Sequence, residues 1–151
     1  YPPGIRENGA YTHAAVWLAR AMLETDELCD TGYKILKAVN PINHSRTSGE
    51  CATYRIEPYV IAADIYSEGR NIGRGGWSWY TGSASWYYTP LLEPLFGFIK
   101  KGNQIEINSK YNETVTVLYR FGGSEYEFCI TPKAKGRVEL IDDGKKHYYT
   151  V

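Results

Sequence analysis

Thr81 and Gly82 stand directly ahead of an apolar run at 83–99 whose composition reads as a helix. A hydroxyl residue and a glycine at a helix start leave free N–H groups at the positive end of the helix dipole. That combination holds an anion, and phosphate is the usual one. Just upstream, the glycines of Arg74-Gly75-Gly76 let backbone come close to something, and Trp77, Trp79 and Tyr80 offer flat faces suited to sugar or to core. The plainer reading makes Thr81 an N-cap and the tryptophans packing. Arg6-Glu7-Asn8-Gly9 precedes a first helix, and such a loop can hydrogen-bond hydroxyls and a charge at once. Its rival is capping, with Asn8 or Thr12 at the cap and Glu7 near the positive helix end. His13, in the first turn, suits hydrogen bonding or anion contact, or else a satisfied structural role. No cysteine or carboxylate at suitable spacing makes it a metal ligand. Glu57 and Asp64, seven apart around a third expected helix, would lie near one face. A carboxylate pair there could do acid–base work at a glycosidic bond, or be solvated or paired with arginine. His44 and His147 read as a loop and a strand-surface residue. Serine-elbow, P-loop and dinucleotide fingerprints are absent.

These residues need elements to place them. Residues 1–10 read as an irregular loop and 11–24 as an alanine-rich helix, apolar on more than one face and therefore buried between neighbours. A second helix is expected over 26–39, stopped by Asn40-Pro41, then a polar loop over 41–53. The third helix is expected over 58–66, with Pro58 in its first turn. The fourth, over 83–99, should be bent or interrupted by Pro90 and Pro94. After Gly102 the period becomes two, and strands are expected at 104–108, 114–120, 125–131, 137–141 and 146–151. Gly122-Gly123 and Asp143-Gly144 read as hairpin turns. The chain is thus α then β, helices over 1–101 followed by an antiparallel sheet of about five strands over 102–151.

Composition narrows the function classes. The 151 residues carry 17 Lys+Arg against 17 Asp+Glu, so no basic stripe stands out and nucleic acid is not an expected partner. Aromatics reach 15%, which suits carbohydrate as well as core and interface. Cys29, Cys51 and Cys129 are scattered and odd in number, fitting free thiols in a reducing, cytoplasmic setting. No signal peptide or membrane-length apolar run is present. The sequence begins at Tyr1 and its only methionine is Met22, which suggests a piece of a longer chain.

Three blocks together resemble a known family. They are Tyr1-Pro-Pro-Gly-Ile-Arg-Glu-Asn-Gly-Ala-Tyr-Thr-His13-Ala-Ala-Val-Trp17, Glu57-Pro-Tyr-Val-Ile-Ala-Ala-Asp-Ile-Tyr66 and Gly73-Arg-Gly-Gly-Trp-Ser-Trp-Tyr-Thr-Gly-Ser-Ala-Ser-Trp86. They are similar to the C-terminal part of glycoside hydrolase family 94, the inverting glycoside phosphorylases, and most of all to its cyclic β-1,2-glucan synthase branch. The resemblance implies the last helices of an (α/α)6 toroid followed by a small antiparallel, jelly-roll-like β region. It implies that His13, Thr81 and Gly82 bind phosphate and that Arg6 and Glu7 contact sugar, although the family pattern has one more residue between that Glu and the His. Inorganic phosphate would be the co-substrate, β-glucan oligosaccharide the substrate, and no cofactor or metal would be needed. The family's general acid, an Asp in a Trp-Asn-Asp-like segment, has no counterpart in this sequence. The expectation is therefore a catalytically silent phosphate half-site, completed by an N-terminal part of a parent whose membrane anchoring stays open. Two other readings stand beside it: an inverting toroid hydrolase using Glu57 or Asp64, and a non-catalytic sugar-binding or scaffold domain. A truncated toroid would also expose apolar helix faces and self-associate.

Overall fold

The computed structural model describes residues 9–79 and 81–151, with the side chains of residues 9, 10 and 81 outside that description. The chain divides into two units, Tyr1–Pro90 and Leu91–Val151.

In the first unit, α1 (Thr12–Glu24) buries one stripe, Thr12, Val16, Ala19 and Leu23. Their spacing of four, three and four follows the helical repeat. This stripe packs against α2 (Cys29–Val39) and α4 (Thr81–Pro90). Trp17 and Leu18 remain 53% and 51% exposed, so α1 is not covered on several faces as its alanine-rich sequence suggests. A 3₁₀ turn, Asp26–Leu28, leads into α2, whose buried positions are Gly32, Leu36 and Val39. Asn40 then caps the 3₁₀ turn Pro41–His44, its Oδ1 accepting from Ile42 N at 3.0 Å.

Two of the expected assignments reverse. The polar stretch at 41–53 contains a helix, α3 (Ser48–Tyr54), set by a capping box. Thr47 Oγ1 accepts from Glu50 N, and Glu50 Oε2 accepts from Thr47 N at 3.0 Å. The stretch at 58–66 is not a helix. Residues 60–66 are buried without interruption, and β2 (Asp64–Tyr66) is its hydrogen-bonded end. A continuous short apolar run suits a strand covered on both faces as well as it suits a helix. β2 pairs antiparallel with β1 (Gly9–Tyr11), with Tyr11 opposite Asp64. Its other edge takes residues 74–77: Tyr66 N donates to Arg74 O, Gly76 N to Asp64 O and Ala63 N to Trp77 O, at 2.8–2.9 Å. Glu57 and Asp64 therefore do not share a helix face.

In the second unit, the helix expected over 83–99 does not run through. Beyond Pro90 there is a wide π-type turn, Leu91–Leu95, containing Pro94, and then β3 (Phe98–Lys101). Proline lacks the N–H that would extend the helical ladder. β4 (Gln104–Asn108), β5 (Val115–Phe121), β6 (Ser124–Ile130), β7 (Lys135–Glu139) and β8 (Lys146–Thr150) fall close to the strands read from sequence. They form two three-stranded sheets, β3-β4-β7 and β5-β6-β8, rather than one antiparallel sheet. β8 pairs with β6 in parallel, so Asp143-Gly144 is not a hairpin turn between partnered strands, whereas Gly122-Gly123 does join the antiparallel pair β5 and β6. The two sheets share one core built on Phe98, Ile105, Ile107, Tyr126, Phe128, Ile130 and Val138. No helix of the described residues is long and apolar enough to cross a membrane.

Candidate functional site

β2 organises the site by its two edges. One edge carries β1, which runs straight into α1; Thr12 N donates to Ala63 O at 2.9 Å and fixes that entry. The other edge carries residues 74–77, which lead on to the start of α4. Glycines make the second pairing possible. A Cβ on Gly76 would stand 1.8 Å from Asp64 Oδ1, and one on Gly75 would stand 2.5 Å from Ile56 Cδ1. The Asp64 carboxylate thus occupies the place a side chain at position 76 would take.

The arrangement brings His13 to the first turn of α4. A Cβ on Gly82 would lie 4.0 Å from His13 Cε1, so the imidazole faces the glycine across van der Waals distance. Aromatic neighbours fix the ring: Trp17 meets it edge-on at 4.9 Å, Trp86 lies at 6.4 Å, and the two indoles meet each other at 5.4 Å. The Arg20 guanidinium lies 5.9 Å from the Trp86 ring and donates to Thr89 Oγ1 at 3.3 Å, tying α1 to α4 beside the site. Tyr87 anchors α4 from another side through a 3.2 Å hydrogen bond from its hydroxyl to Leu36 O, and burial pushes that phenol up to about 12. Thr81 opens α4, so its backbone stands in the first turn, where N–H groups lack helical partners. The Thr81 side chain, Arg6 and Glu7 lie outside the described residues.

The sequence offered Thr12 only as a helix cap, but the N-cap is Tyr11 and no side chain caps it. The Thr12 and Ser83 hydroxyls are buried, and among the described residues neither finds a hydrogen-bond partner. The same holds for both oxygens of Asp64, which is fully buried. Burial pushes the Asp64 carboxyl above the ordinary aspartate value, toward the neutral acid. Glu57 is placed differently: its Oε1 accepts from the Trp79 indole N–H at 3.2 Å. His44 stacks on Tyr54 at 5.1 Å, and His147 pairs with Asp143 in the β unit. Among the described residues no group of three or more His, Cys, Asp or Glu could hold a metal ion, and Cys29, Cys51 and Cys129 form no disulfide.

The profile of the Glycosyl hydrolase 94 superfamily, catalytic domain, matches residues 1–97, more than half of the sequence. The chain belongs to that superfamily. All three sequence blocks lie within the matched residues, and so do both partners of the His13–Gly82 contact. The chain is also 46% identical over 108 residues to the cyclic beta-(1,2)-glucan synthase NdvB of Rhizobium meliloti (strain 1021). That alignment covers 71% of this chain and 4% of the relative's length.

Proposed function

We propose that this chain supplies the phosphate-binding half of the active site of an inverting phosphorylase acting on β-glucan. The observation that carries the reading is the His13 imidazole standing over Gly82 in the first turn of α4. Free N–H groups, the positive helix end and a hydrogen-bonding imidazole converge there, which is the chemistry an inorganic oxyanion needs. Membership of the Glycosyl hydrolase 94 superfamily and likeness to a cyclic beta-(1,2)-glucan synthase support the choice of substrate. Thr81 would complete the anion cradle, with Arg6 and Glu7 contacting sugar.

In this reading phosphate attacks the anomeric carbon from the face opposite the leaving oxygen, while an acid from another part of the parent protonates that oxygen. Phosphate is already anionic, so no second carboxylate is needed as base, unlike in inverting hydrolysis. The work of these residues is to hold the nucleophile in line and offset its charge. The hydrolase alternative is less well supported, because Asp64 is buried and does not share a helix face with Glu57. The chain alone would be inactive and would act on the cytoplasmic side of the cell within a longer protein. Exposed apolar residues of the helical unit, such as Trp17, Leu18 and Ile42, would drive self-association when they are uncovered.

Calorimetric titration of the chain with phosphate tests the half-site. His13→Ala is expected to weaken binding by about tenfold or more, the scale of a lost hydrogen bond to a charged group. Gly82→Ala should weaken it less, because the added methyl reaches only van der Waals contact with the imidazole while taking up space at the helix start. Unchanged affinity in both variants would sink the reading, as would phosphate-independent hydrolysis of β-glucan by the parent.

A further inference from the structure

Tyr59, Trp77 and Trp79 are 73%, 53% and 63% exposed, although they flank the most deeply buried strand of the helical unit. Two of them form a defined pair. The Tyr59 and Trp79 rings meet at 6.4 Å with planes 75° apart, making a corner rather than a closed stack. The corner is held in place. Trp79 has a backbone φ of 60°, a left-handed conformation that a bulky residue adopts only under constraint. Its indole N–H donates to Glu57 Oε1, and Trp77 is tied to the residue just ahead of β2 through its carbonyl, which accepts from Ala63 N. Exposed aromatic rings that simply lacked a role would not need a strained backbone and a carboxylate to orient them.

The chemistry of this corner fits one kind of ligand. A pyranose ring has an apolar C–H face and an equator of hydroxyls. The rings supply flat apolar faces, and Glu57 supplies carboxylate lone pairs beyond the one used by Trp79. Trp79 lies two residues ahead of Thr81, so a sugar here would sit along the approach to the first turn of α4. We propose that Tyr59, Trp79 and Glu57 form a sugar-stacking subsite that holds a glucosyl unit of the β-1,2-glucan chain, next to the phosphate site. This rests on the phosphorylase reading for the identity of the sugar.

The test is a titration of the chain with sophorotetraose, followed through the indole N–H resonances in nitrogen–proton spectra, with a separate titration by inorganic phosphate. Sophorotetraose is expected to shift the Trp79 indole signal. Trp79→Ala and Tyr59→Ala should each weaken the sugar by about tenfold, and Trp79→Phe should retain part of the affinity. All three should leave phosphate affinity and the thermal midpoint unchanged, because both side chains are exposed. Tyr148→Ala, which removes an exposed tyrosine from the β unit, should change nothing. No shift at Trp79, or equal sugar affinity in wild type and in the Tyr59 and Trp79 variants, overturns the subsite and leaves the phosphate reading standing if phosphate still perturbs His13 and Gly82. Sugar binding at Trp79 without any phosphate effect at His13 and Gly82 supports the subsite and overturns the phosphorylase reading instead.

Discussion

In the β unit the buried Ser124 hydroxyl accepts from Asp143 N and Gly144 N and donates to Asp143 Oδ1, while the Tyr126 hydroxyl donates to Ile141 O and accepts from Ile141 N. In the helical unit the buried hydroxyls of Thr12 and Ser83 and the carboxylate of Asp64 have no such partner among the described residues. Leaving a buried polar group unmatched costs on the order of 1–3 kcal/mol, so a fold does not keep several of them in one region without reason. The β unit satisfies its polar groups from its own chain. The unmatched groups of the helical unit lie around β2 and the first turns of α1 and α4. The difference places the unmatched polar groups in the same unit as the His13–Gly82 contact.

The largest effect is expected at the centre of the β unit. Phe128 is fully buried, with Phe98 at 5.1 Å and Tyr149 at 5.6 Å between ring centroids. Phe128→Ala should cost about 3–5 kcal/mol in urea unfolding; a loss below about 1 kcal/mol would mean that this core is not tightly packed. Next, Gly76→Ala should cost about 1–3 kcal/mol, because the new methyl collides with the Asp64 carboxylate. Adding Asp64→Ala to it should return part of that loss, and strict additivity in the double-mutant cycle would show the two positions to be uncoupled.

The third test uses acid. The folded pKa of Asp64 is raised by burial, so its contribution is full below the ordinary value of 3.8 and is lost as pH climbs through the raised pKa. Asp64→Asn should therefore gain stability relative to wild type as pH rises above 3.8 and through the raised pKa; parallel stability curves for the two proteins would show that the carboxyl is not held neutral by burial. The β unit should show the opposite sign and a smaller effect. Glu125 is held below the ordinary carboxylate range by hydrogen bonds from Lys146 and Arg120, at 3.1 and 2.7 Å. Its contribution is present above that range and fades on acidification, and because the triad is exposed, salt should erase it. Glu125→Gln that changed stability equally in low and high salt would contradict this.

How much of this was legible in the sequence depended on how local the cause was. The strands after Gly102 alternate strictly, so their positions could be read, but the parallel pairing of β8 with β6 depends on contacts distant in sequence and could not. The capping box of Thr47 and Glu50 was written in the sequence and was obscured by the polar residues around it. The run at 58–66 has a length and an apolar content that suit either helix or strand. What decides is the pair of hydrogen-bonded neighbours at 9–11 and 74–77, which no local pattern reveals. Thr81, Gly82 and His13 could be singled out from residue type, because a helix start advertises its free amides; their closeness could not. Asp64 was visible as a carboxylate, but its setting over Gly76 rests on a missing side chain in another segment.

β2 is hydrogen-bonded along both edges, and that acts as a ruler. The gap between the entry to α1 and the segment feeding α4 spans two strand spacings, roughly 4.8 Å each, whatever the length of chain that separates them in sequence. Extra residues spliced in near Arg46 or Glu68 would lengthen the protein without moving the imidazole from its glycine. A one-residue slip of the three-residue β2, by contrast, would turn Asp64 to the opposite face and pull the two ends out of step together.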